Sequence, residues 1–137
     1  MPRSLRAAVL ATAALLWLSG ALWMLLHYLV PGHNEFGPLP NPYEAPLLAL
    51  HGLAAVAGVF LFGWLGASHM LVRWPAASDR PSGLVLLGCA VILVVSGYAL
   101  YYTTGGLNEA AAQVHEWLGL ATLGVALTHW LKARAAR

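Results

Sequence analysis

The chain has 137 residues, enough for one domain. Hydrophobic residues make up 60% of it and charged residues only 9%, too few to coat a water-soluble domain, so the composition excludes that class and points to a membrane protein. The net charge of +2 asks for no nucleic-acid partner, because every basic residue is accounted for by membrane topology.

Four apolar runs predict helices over about 5–30, 47–74, 83–104 and 110–132. Each reaches the roughly 20 residues that cross a bilayer, where a helix satisfies its own backbone. The first run follows Arg3 and Arg6 like a secretory signal, but continues through Trp23, Met24 and Leu29, beyond a signal core. It is expected to be a retained helix. His27 lies near its outer end. The plainer reading is an interfacial residue bonded to water or a loop carbonyl; the other places it beside a cofactor or quinone. The stretch 31–46, with five prolines and two glycines, excludes a regular helix and is expected to fold over the outer helix ends. His33 reads there as a solvated loop residue, and Trp23 and Tyr43 as part of an aromatic belt.

The second run carries His51 and His69, eighteen residues apart. In an ideal α-helix that is five turns, so both imidazoles share a face, about 27 Å apart along the axis. Gly52, Gly58, Gly63 and Gly66 offer close helix packing or room for a flat macrocycle. Arg73, one turn past His69, is a topology anchor, well placed to pair the carboxylates of an inner cofactor. A turn bounded by Pro75 and Pro81 follows. The third run has no histidine or internal charge; it holds Cys89, Ser96 and Gly97, and ends with Tyr98, Tyr101 and Tyr102. These tyrosines read as belt residues, with a hydrogen bond to a quinone or haem propionate as the lesser reading. The fourth run carries His115 and His129, fourteen residues apart, which also share a face, about 21 Å apart.

All seven basic residues, Arg3, Arg6, Arg73, Arg80, Lys132, Arg134 and Arg137, fall on one side of these runs; Glu35, Glu44, Glu109 and Glu116 fall on the other. The positive-inside rule then places both termini in the cytoplasm. The expected fold is an all-α membrane protein, a single four-helix transmembrane bundle running up-down-up-down over residues 1–137. In it helices two and four are parallel and diagonal. His51 and His115 lie near the outer surface, His69 and His129 near the inner one. Each pair can ligate one haem iron. Helix tilt is needed to absorb the four-residue difference in spacing, about 6 Å. With one cysteine and no C-x-x-C-H, the two haems must be b-type, held without covalent attachment. A closed zinc site wants about four converging ligands, and a proton relay wants acids mid-membrane.

The set of His51-Gly52, Gly66, His69, Arg73-Trp74, a proline-bearing turn, a plain helix ending SGYALYY, His115-Glu116-Trp117-Leu118-Gly119 and His129 resembles small bacterial four-helix membrane proteins of the b-type cytochrome superfamily. The resemblance covers nearly the whole chain. It implies a di-haem cytochrome b of the bacterial inner membrane with those four histidines as axial ligands. The fourteen-residue spacing matches the ligating helices of respiratory cytochromes b, whereas the eighteen-residue spacing departs from them. The function expected is transmembrane electron transfer between quinone and a redox partner subunit, since the chain has no room for a flavin or nicotinamide domain. Two other readings stay open: a structural or assembly subunit whose histidines pack, and a small histidine-lined proton-coupled transporter.

Overall fold

A computed structural model describes residues 2–70 and 80–135, apart from the side chains of His69, Met70, Arg80 and Ala133. The elements are α1 (Arg3–Leu29), β1 (Gly32–Asn34), β2 (Gly37–Leu39), α2 (Glu44–Leu65, continued by a π-helical turn Gly66–Met70), α3 (Arg80–Tyr102) and α4 (Gly106–Ala135). Three helical stretches, Arg3–Leu29, Glu44–Ser68 and Pro81–Tyr102, are long and apolar enough to cross a membrane. The protein is therefore a multi-pass membrane protein. The fourth apolar run of the sequence forms a helix of 30 residues. That helix is long enough but does not reach the hydropathy of the other three. Gln113, His115, Glu116, Thr122, Thr128 and His129 interrupt its apolar surface.

The chain divides into two compact units, residues 1–69 and 70–137. In the first, α1 packs on α2; in the second, α3 packs on α4. Each unit is a helical hairpin with a thin interior. Buried hydrophobic side chains among the described residues are small: Ala54, Cys89 and Ala111. The large ones, among them Leu18, Leu53, Val56, Phe60 and Val95, lie outward, as they do when lipid covers the helices. Small residues set the approach of α1 to α2. A methyl group at Gly58 would come within 3.1 Å of Leu16 Cδ1, so Gly58 serves packing. At Gly63 or Gly66 it would meet nothing described.

The α1–α2 connection departs from the irregular loop expected of its prolines. It contains a short antiparallel ribbon with Asn34 opposite Gly37. The Asn34 side chain accepts from the Phe36 amide at 2.9 Å, a local Asx turn. Gly37 adopts φ of 123°, open to glycine alone at low cost. The loop is tied to both helix ends, because Asn41 Nδ2 donates to the Val30 carbonyl at 2.8 Å. Glu44 Oε1 accepts from the Asn41 amide at 2.8 Å, while the Glu44 amide donates to the Asn41 carbonyl at 2.9 Å. The Glu44 carboxylate, in the first turn, also complements the N-terminal dipole of α2.

The π-helical turn changes one expectation. The face shared by His51 and His69 assumes an unbroken α-helix. A π turn spends an extra residue per turn, so the rotation lags before His69 and the simple phase no longer carries through. The side chain of His69 and the whole of Arg73 lie outside the described residues.

Candidate functional site

Three of the expected ligands, His51, His115 and His129, sit in the bodies of long helices with half-buried rings. Each meets a serine on the other helix of its own hairpin. His51 Nδ1 lies 2.9 Å from Ser19 Oγ on α1. His115 Nδ1 lies 3.0 Å from Ser96 Oγ, and His129 Nδ1 lies 3.0 Å from Ser82 Oγ, both on α3. In each case the residue after the serine is glycine, and the space its missing side chain leaves faces the imidazole edge. A methyl group at Gly20 would stand 3.3 Å from His51 Cε1; at Gly97, 3.1 Å from His115 Cε1; at Gly83, 3.6 Å from His129 Cε1. The chain's three Ser-Gly dipeptides thus form three seats of one design. Ser82 and Ser96 are fourteen residues apart, the spacing of His115 and His129. One antiparallel register therefore brings both pairs together.

The seats are polar points in an apolar setting. Ser19 and Ser96 are 3% and 6% exposed, so their hydroxyls need partners within the protein. Ser19 Oγ donates to the Leu15 carbonyl at 2.7 Å, with the Leu16 carbonyl at 3.2 Å. Ser96 Oγ donates to the Leu93 carbonyl at 3.2 Å. At each seat the described side-chain partner of the imidazole is a serine hydroxyl.

The two histidines outside the expected ligand set, His27 and His33, behave differently. His27 Nδ1 pairs with Glu44 Oε2 at 2.9 Å, and its ring stacks on Trp23 at 4.6 Å between centroids. Its role is to fasten α1 to the first turn of α2. His33 Nδ1 reaches the Pro31 carbonyl at 3.2 Å in the exposed ribbon. The Trp23 indole N–H is buried without an acceptor among the described residues. Tyr98 and Tyr102 stack at 4.3 Å, with both rings largely exposed. Cys89 is a buried free thiol.

Among the described residues, no three His, Cys, Asp or Glu side chains converge on one point. A ligand set drawn from them would therefore be built from single imidazoles. The donor chemistry of the seats fits haem iron, which takes neutral imidazole nitrogen, and the glycines keep one edge of each ring clear of side chains. Sequence reasoning passed over Ser19, Ser82, Gly20 and Gly83, and placed Ser96 and Gly97 without a task. The signal was present, as a Ser-Gly dipeptide recurring in phase with the histidines. No protein-family model, curated protein or solved structure matches the chain.

Proposed function

We propose that this chain carries electrons across a membrane through two non-covalent b-type haems. By the pairing the sequence suggests, His51 and His115 would hold the outer haem, and His69 and His129 the inner one. The observation that carries this reading is the repeated seat: imidazoles inside apolar helices, fixed by a hydroxyl at Nδ1. An ionisable side chain in a membrane span is costly and marks function by default. Metal-ligating histidines characteristically bond an oxygen acceptor through their second nitrogen, which orients the ring.

When bound, each haem supplies a one-electron iron couple, and the protein supplies ligands, orientation and electrostatics. The histidines would hold the iron, the serines orient the histidines, and the glycines let the rings lie against the neighbouring helix. The apolar helices keep water away. Arg73, one turn past His69 in the sequence, would pair the propionates of the inner haem. The π-helical turn before it is a device found at functional sites in other helices. The buried Trp23 N–H offers a donor one turn beyond Ser19, suited to a propionate of the outer haem.

The proposed fold is an up-down-up-down bundle in a bacterial inner membrane, with both termini cytoplasmic by the distribution of Arg and Lys. Electrons pass between quinone in the lipid and a partner redox subunit. The visible spectrum of the protein purified from haem-replete cells tests this. The sharp, reducible bands of six-coordinate haem are expected. A colourless protein would favour the structural subunit or the proton-coupled transporter.

A further inference from the structure

The three serines stand in an unusual relation to the histidines. A serine hydroxyl has one proton to give and two lone pairs to receive with. At Ser19 that proton is committed to the Leu15 carbonyl at 2.7 Å. With the hydroxyl so directed, Ser19 Oγ lies 2.9 Å from His51 Nδ1 with a lone pair free to accept a ring proton. At Ser96 the hydroxyl again has a carbonyl of its own helix within reach, Leu93 at 3.2 Å, beside His115 Nδ1 at 3.0 Å. Ser82 meets His129 Nδ1 at the same distance, with Gly83 under the same ring edge.

In a neutral imidazole, protonation of one nitrogen leaves the lone pair on the other. We infer that Ser19, Ser96 and Ser82 are positioning residues that hold His51, His115 and His129 in the Nδ1-protonated tautomer and so select Nε2 as the ligating nitrogen. The ligating half of this inference rests on the haem reading above; the tautomer half does not. Each serine acts twice. It fixes the tautomer before iron arrives, so ring orientation need not be ordered on binding. Once iron is bound, it accepts from the Nδ1 proton, which makes the imidazole a stronger donor and favours the ferric state.

The seats are local to each hairpin. Each histidine is oriented by its nearest sequence neighbour helix, and the α3–α4 hairpin carries two seats in one register. Gly20 and Gly97 are part of the device, because a methyl group there would stand 3.3 Å and 3.1 Å from Cε1, between the two ring nitrogens, whereas at Gly83 it would meet His129 at ordinary contact distance.

The test uses the full chain in detergent, labelled with 15N-histidine, above the pH of imidazole titration. Tautomers are read from the ring-nitrogen chemical shifts of the haem-free protein. His51, His115 and His129 are expected as Nδ1–H, with S96A shifting His115 alone and S96T, which keeps the hydroxyl, restoring it. With haem bound, S96A is expected to lose about 10–100-fold in haem affinity and to move the outer midpoint potential positive. S19A and S82A repeat the test at separate seats should S96A not be recovered. Unchanged His115 tautomer and haem affinity in S96A, where H115A loses a haem, would overturn the serine inference and leave the haem reading standing. A wild-type protein that binds no haem overturns the haem reading and the ligating role together.

Discussion

The most discriminating structural perturbation is a methyl group placed after each serine. At Gly97 the new carbon would lie 3.1 Å from His115 Cε1 and 3.5 Å from Nδ1, inside ordinary contact distance, so the ring must move by a few tenths of an ångström. At Gly83 the nearest atom, His129 Cε1, is 3.6 Å away, which is ordinary contact. Overpacking a fitted site costs roughly 1–3 kcal/mol, while alanine gains about 0.5–1 kcal/mol over glycine within a helix. Gly97→Ala should then be destabilised by about 0–2.5 kcal/mol net. Gly83→Ala should be stabilised by about 0.5–1 kcal/mol. Gly20→Ala, at 3.3 Å from His51 Cε1, falls between them. Thermal unfolding followed by circular dichroism in one detergent, with haem content measured in parallel, gives the order. Gly97→Ala should also displace the His115 ring from Ser96 and weaken the outer haem. The reasoning is refuted if Gly97→Ala matches the parent in haem content and unfolds above Gly83→Ala.

Other substitutions separate ligands from bystanders. His51→Ala or His115→Ala should lose the outer haem while His27→Ala and His33→Ala keep both; a haem lost from His27→Ala but kept in His51→Ala would transfer the ligand role. His27→Ala should also leave Glu44 without its imidazole partner and speed proteolysis between residues 31 and 43, since that pair fastens the loop at 2.9 Å; unchanged cleavage rates would count against the fastening. Arg73→Gln should move the inner midpoint negative and spare the outer one, on the scale of a charge-assisted contact, roughly 1.5–3 kcal/mol before solvent screening. If both midpoints stay put, Arg73 is an anchor only. A reporter fused after Arg137 should be active in the cytoplasm, and periplasmic activity would reverse the topology.

Helix existence was legible because long apolar runs allow little else in a membrane. Observed ends fall close to the expected ones: α1 ends at Leu29 and α3 begins at Arg80, beside the prolines and charges that marked the turns. The lower hydropathy of α4 was hidden by its length and its leucines, which made polar residues such as Gln113 and Thr128 easy to discount. The ribbon around Asn34 and Gly37 was hidden by Pro38 and Pro40, which suggest irregular chain; two three-residue strands tolerate a proline at the edge. The π-helical turn at Gly66–Met70 leaves no periodic trace, so the phase of His69 could not be read by counting. At the site, histidine stood out by its cost in lipid. Its serine partners did not, because serine beside glycine in an apolar helix reads first as a small-residue packing stripe. Only the pairing of α1 with α2 and of α3 with α4 separates the two meanings.

The account stands on the number of haems in each chain. A pyridine haemochrome assay on the purified full-length protein, set against protein concentration from amino-acid analysis, measures it directly. Four histidine ligands in two levels predict two b-type haems per chain, falling to one in His115→Ala. A ratio near one in the parent would contradict the paired arrangement, and a ratio of zero would contradict the electron-transfer reading altogether.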